Sequence, residues 1–267
     1  MKTSLAGLKP MAVWGLLKEA KTTLGETGPI VVSGVLAEQL ARELGAGGAP
    51  GAVRAGGRVQ DASVLVRVLA GGTTEEDERE LRAANVARVT IVAVQTSGET
   101  GLYVPYVLAT DIVVCPPGAG FPVDEIARVV AARLDLAATP LAAQLPVVRD
   151  AVCDHLIESF SRKNAVLGVA IFVPGADFPV LTLNQLRLVL RLASAHGVEV
   201  DQSRLPEILA TIGAGLGFRA VARQLLGAVP VAGWAVKGGV AYAGTKAVGE
   251  AARRYFATAA ESAAPTS

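Results

Sequence analysis

Asp154, His155 and Glu158 lie within one helix-like stretch and carry groups that general acid–base chemistry uses. No second motif offers a nucleophile or an orienting partner, so the three read as a solvated helix face. Asp177, close to Pro174-Gly175 and Pro179, reads as a turn residue rather than an acid catalyst. Cys115 ends an apolar run and Cys153 sits between Val152 and Asp154; neither stands in a catalytic signature with a histidine, and both read as inert thiols. His196, next to Gly197, suits a helix C-terminus, where the dipole favours a cation. With 2 histidines and 2 cysteines the chain has neither zinc-ligand spacing nor a disulfide framework, which points to a reducing compartment. The expectation is no catalytic residue, no metal and no cofactor.

Phosphate chemistry is the other class to weigh. Gly28-Pro29 precedes Ile30-Val31-Val32, a buried-strand pattern that runs into Ser33-Gly34 and a helix expected over 35–44. In a doubly wound sheet the ligand site lies at the carboxyl ends of the strands, so this turn is where a phosphate loop GxxxxGK[ST] belongs. The chain reads SGVLAEQLARELG there, with Val35 and Leu36 in place of glycines and no lysine at the needed offset. Backbone amides cannot wrap a triphosphate, and its charge has no counterpart. Ser33-Gly34 reads as a simple turn.

The remaining elements fit this α/β frame. Residues 45–57 carry Gly, Ala and Pro50 without periodicity and are expected to form a loop. The run ASVLVRVL over 62–69 is strand-like, and Thr73 with Glu76 reads as a capping box opening a helix to about Asn85. Glu75, Glu76, Asp77 and Glu78 then complement the helix dipole and need no catalytic role. Apolar strands follow over 89–94 and 110–115, and a helix over 123–134. Alternating strands and helices imply a parallel sheet covered on both faces.

After Thr139-Pro140 the strand signals stop. Helices are expected over 141–160, from a second capping box at Thr182 and Gln185 to Gly197, from Pro206, and finally to about Phe256, followed by a disordered tail. Gly213 with Gly217, and Gly239 with Gly244, place small residues on helix faces and imply close crossings. Leu5 to Leu24 reads as an amphipathic helix interrupted near Pro10, without a signal-peptide pattern.

Composition sets limits on partners. Lys and Arg number 25 against 24 Asp and Glu, a net charge of +1, so no strong field favours nucleic acid. Hydrophobic residues at 51%, charged residues at 18% and a mean hydropathy of +0.44 require extensive covered apolar surface. The apolar runs near 165–176, 208–218 and 225–236 fall short of a membrane span, which leaves buried helices or helices lying on a bilayer.

ASVLVRVLAGGTTEEDERELRAANVARVTIVAVQTSGE resembles the strand, helix and strand leading to the guanine-reading Asn-Lys-x-Asp motif of the Era-like GTPase fold, with that motif's places held by Gln95, Thr96, Ser97 and Gly98. DIVVCPPGAGFPVDEIARVVAARL resembles the last strand and helix of such a domain, with Pro116-Pro117 where the family keeps a Ser-Ala contact. No Asp-x-x-Gly precedes Ala62, and only Asp61 remains. Residues 164–256, through PGADFPVLTLNQLRLVLRLASAHGVEV and LGFRAVARQLLGAVPVAGWAVKGGVAYAGTKAVGEAARRYF, resemble the uncharacterised helical domain that follows GTPase domains in bacterial membrane-associated GTPases. The resemblance implies a bacterial, membrane-associated or membrane-proximal partner protein and no particular reaction.

The expected fold class is therefore α/β: a degenerate P-loop GTPase-like doubly wound sheet over 28–139, followed by an all-α glycine-rich helical domain over 140–258. An amphipathic helix over 1–27 precedes them and a disordered tail over 259–267 ends the chain. The expected function is that of a non-catalytic pseudo-GTPase scaffold at the cytoplasmic side, with peripheral membrane contact or a protein partner and with homo-oligomerisation left open. Arg219, Arg223, Trp234, Lys237 and Lys246 are the candidate contact residues, as a rim facing anionic headgroups or a partner. Two alternatives remain: an atypical GTP-binding switch using Ser33 and residues 45–57, and a soluble enzyme with a site between the halves.

Overall fold

The computed structural model describes residues 11, 14–18, 27–96, 103–116, 118–170, 177–201, 203–215 and 234–263, with backbone alone at 177–179, 213–215, 234–237 and 261–263. The chain divides into two compact units, one of residues 26–152 and one of residues 1–25 with 153–267.

The first unit is α/β. Its strands are β1 (Ile30–Gly34), β2 (Val53–Ala55), β3 (Val64–Leu69), β4 (Thr90–Gln95) and β5 (Ile112–Val114), all parallel, in the order β2-β1-β3-β4-β5. This is a common doubly wound order, and its switch point lies between β1 and β3. The helices are α1 (Ala37–Leu44), α2 (Glu75–Val86), α3 (Val123–Leu134) and α4 (Thr139–Gln144). Central β3 is buried along its whole length, as a strand covered on both faces must be. Alternation sends Val31, Leu65, Leu69, Ile91 and Ala93 to one face, where they cluster with Leu81 and Ala84 of α2. α1, carrying buried Leu40 and Leu44, packs on β1 and β2 outside that cluster, as the usual right-handed crossover would place it.

Several boundaries differ from expectation for physical reasons. Residues 45–57 are not all loop, since β2 forms within them by pairing Val53, Arg54 and Ala55 with Ile30, Val31 and Val32. Three residues are too few to show a period in sequence. The helix after β1 begins at Ala37, not Val35, because Leu36 adopts φ 54 and cannot belong to it. Thr74, not Thr73, caps α2: its hydroxyl accepts from the Asp77 amide, and the Asp77 carboxylate accepts from the Thr74 amide.

The second unit is helical. Its elements are α5 (Pro146–Ala170, from Cys153 onward), α6 (Asp177–Ala195), α7 (Leu205–Gly215) and α8 (Trp234–Ala263). Residues 14–18 are also helical, with Leu16 and Leu17 buried while Met11 and Trp14 are exposed. The stretch expected as one helix over 141–160 is broken at Leu145, ahead of Pro146. Asp177 opens α6 and is not in a turn, so Thr182 and Gln185 lie inside that helix and form no capping box. The C-terminus of α6 does end as its sequence suggests. Gly197 at φ 69 allows its amide to donate to Ser194 and that of Val198 to Ala193, a Schellman closure.

Within α8 the close approaches fall at Gly238 and Gly249 and not at the Gly239 and Gly244 pair. A Cβ on Gly238 would press Val169 at 2.8 Å, and one on Gly249 would press Ile157 at 2.7 Å and Leu188 at 3.2 Å. Positions 239 and 244 have open space around them. Eleven residues make just over three whole turns, so 238 and 249 share a stripe that 239 and 244, five residues apart, do not. Gly217 lies outside the described residues.

Candidate functional site

The turn from β1 to α1 holds only Val35 and Leu36. Gly34 takes φ 93, a left-handed conformation open to glycine, and a Cβ there would overlap the Val68 carbonyl oxygen of β3. The Val35 amide donates to that same carbonyl at 3.2 Å, fastening the turn to the neighbouring strand. Both turn side chains project outward, Val35 at 41% and Leu36 at 59% exposure. A phosphate cradle requires several consecutive amides facing one point. The turn itself contributes two amides, and that of Val35 is already bonded to β3.

Beneath this turn, on the α2 face of the sheet, lies a charged cluster. Ser33 of β1 and Arg67 of β3 are register partners, so alternation aims both side chains at α2. Arg67 is 7% exposed. Its Nε donates to Asp77 Oδ1 at 2.7 Å, and its Nη1 pairs with Glu80 Oε2. The Ser33 hydroxyl donates to the same Glu80 oxygen at 3.0 Å. The α2 sequence arranges this, since Asp77 and Glu80 are three residues apart and share a helix face. One guanidinium therefore meets two carboxylates, and the cluster carries a net negative charge at the edge where an anionic ligand would have to approach.

Burial is the strongest single influence on Asp77 and opposes its ionisation. The Thr74 hydroxyl and amide and the Arg67 guanidinium together outweigh it and hold the carboxyl below its ordinary value of 3.8. A carboxyl lowered on folding contributes stability that is whole above the ordinary value and is lost as pH falls through the lowered one. Urea midpoints of the full chain should therefore hold between about pH 7 and pH 5 and fall below about pH 4. Asp77→Asn should be less stable at neutral pH and show a shallower acid decline. An acid profile identical in wild type and Asp77→Asn would contradict this.

The acid–base candidates of the helical unit serve to tie helices together. Asp154 accepts from Arg253 Nη1 at 2.6 Å, joining α5 to α8. Glu158 accepts from the Tyr242 hydroxyl at 2.6 Å and from Arg162 Nε at 2.6 Å. The tyrosine hydrogen bond leads the influences that lower the Glu158 pKa. His155 sits beside them on α5. His196 Nδ1 lies 2.9 Å from the Leu192 carbonyl, at the end of α6. Cys115 and Cys153 are buried and in no disulfide, and burial raises the Cys115 pKa.

The candidate contact residues are not brought into one described patch. Lys246, on α8, lies 3.9 Å from Glu158 and above the Tyr242 ring, so its charge is engaged within the helical unit. Trp234 and Lys237 fall in the first turn of α8, where the backbone alone is described. Arg219 and Arg223 lie outside the described residues. Ser97 and Gly98, in the place of the guanine-reading motif, do so too, while Gln95 ends β4 fully buried and Thr96 bonds the Leu69 carbonyl at 3.1 Å.

Two clusters carry no motif and escaped the sequence reading. A lone arginine in an otherwise apolar buried strand was the signal for the first, because a buried charge needs a partner. The second is a polar layer inside the helical unit. Asn164 of α5 donates to Thr245 of α8 at 2.8 Å, and Asn184 of α6 donates to Asn164 at 2.9 Å. Among the described residues no group of three or more His, Cys, Asp or Glu is placed to hold a metal ion, and no helix is long and apolar enough to cross a membrane. Comparison with family models, curated proteins and solved structures returns no match to this chain.

Proposed function

We propose that this protein is a non-catalytic pseudo-GTPase, a GTPase-like α/β unit without a nucleotide site joined to a helical unit that acts by contact. The observation that carries the reading is the two-residue β1–α1 turn, with exposed Val35 and Leu36 where a phosphate loop belongs. The strand order supports it, because β1 is flanked by β2 and β3 and its turn stands at the switch point where such sheets hold ligands. The negative cluster of Asp77 and Glu80 around Arg67 supports it further, since a phosphate arriving there meets like charge. The work left to such a chain is scaffolding, through a protein partner or through the cytoplasmic face of a membrane.

Nucleotide released by denaturing freshly purified protein tests the first half of this reading. The expected result is none, and stoichiometric guanosine phosphate would remove the reading. Flotation with anionic liposomes tests the membrane arm, comparing wild type with the double variant Arg223→Glu and Lys237→Glu. Flotation lost in the variant supports headgroup contact. Absent flotation of wild type confines the role to protein contact.

A further inference from the structure

We propose that Ser33 and Arg67 form an oxyanion-holding pair at the β1–β3 crevice, and that the Glu80 carboxylate occupies it as an internal ligand. The inference rests on the non-catalytic reading above in one respect: it supplies the reason that the wild-type crevice takes no external anion.

The geometry is that of a bound anion. One oxygen, Glu80 Oε2, receives the Ser33 hydroxyl at 3.0 Å and Arg67 Nη1 together. Arg67 is held in place independently, because its Nε and Nη2 both engage Asp77 Oδ1, at 2.7 and 2.5 Å. Asp77 is fixed in turn by the Thr74 cap. The Arg67 guanidinium is therefore pre-positioned without Glu80, and Ser33 is placed beside it by strand register, which is what distinguishes a site from a pair of groups that collapse together. The Arg67 side chain is 9% exposed and that of Glu80 is 23% exposed, so the donor is shielded and its acceptor reaches toward solvent. Charge-assisted hydrogen bonds of this kind accept carboxylate and phosphate oxygens alike. Removing Glu80 takes one negative charge from the cluster, leaves the Arg67–Asp77 pair neutral, and opens a space one side chain wide lined by two donors.

Thermal unfolding of the full-length Glu80→Ala variant tests this, in formate, acetate or inorganic phosphate against chloride of equal ionic strength. The variant is expected to gain about 3 °C or more at millimolar formate or acetate, and wild type to gain nothing beyond the general salt effect. A matching gain in phosphate shows that the pair accepts phosphoryl oxygens, while a gain confined to the carboxylates restricts the site to them. Adding Ser33→Ala to Glu80→Ala should abolish the anion response. Should Glu80→Ala be unfolded in chloride, formate or acetate must restore its helical circular dichroism. A variant, folded or unfolded, that ignores all three anions overturns the inference, as does an equal response in Ser33→Ala/Glu80→Ala. The pseudo-GTPase reading fails on a different result, nucleotide bound to wild type.

Discussion

Replacing Arg67 with methionine should destabilise the α/β unit by about 3–5 kcal/mol, because it strands Asp77 and Glu80 against a buried strand without their counter-charge. Arg67 is 7% exposed and Asp77 likewise 7%, so water cannot replace the lost guanidinium. Amide hydrogen exchange at β3 reads the loss locally, apart from the helical unit. The double variant Arg67→Met/Glu80→Met should recover part of it, since it removes one of the two stranded charges and fills the space with apolar atoms. A loss below about 1 kcal/mol in Arg67→Met would mean that the cluster is solvated and does not organise the crevice.

Gly34→Ala should cost about 3 kcal/mol or more, from two causes that add. The backbone at φ 93 is strained for any L side chain, and the new methyl would overlap the Val68 carbonyl that the Val35 amide also uses. Gly71→Ala and Gly72→Ala, on the loop after β3, are the controls. Their added methyls meet nothing within 4 Å, and the changes should stay within about 0.5 kcal/mol. Equal midpoints for Gly34→Ala and the two controls would show that the β1–α1 turn is pliable enough to open. A turn that cannot open is what separates a filled switch point from a phosphate loop waiting for its ligand.

The sheet was legible where the strands were long and mostly apolar. The runs at 62–69 and 89–94 became β3 and β4 within two residues, and the helix expected over 123–134 is α3 itself. Short or ambiguous segments were not. β2 exists because the β1 backbone offers a partner, a cause that leaves no mark in Val53-Arg54-Ala55. Thr73 and Thr74 each have an acidic residue three places on, and the chain selects Thr74 because Asp77 also answers Arg67.

The candidate site was legible as a loss and not as a presence. The missing glycines and lysine after Val32 announced a turn without the phosphate-loop pattern, and the connection is two residues long, while the cluster below depends on register between Ser33 and Arg67, which no single strand reveals. Glu75 to Glu78 read as acids answering the helix dipole; Asp77 among them also turns inward to Arg67, and Glu80, which carried no reading, joins it there. In the helical unit the small residues were visible but their face was not, because 238 and 249 pack while 239 and 244 do not. The same three helices are joined by the polar layer of Asn164, Asn184 and Thr245.

Isothermal titration of the purified, full-length wild-type chain with magnesium GTP, and separately with GDP, measures the central claim most directly. The account predicts no saturable heat at protein concentrations of about 50 μM, corresponding to a dissociation constant weaker than about 1 mM. A stoichiometric transition with micromolar affinity, lost in Gly34→Ala, would show that the two-residue turn does hold a triphosphate and would contradict it.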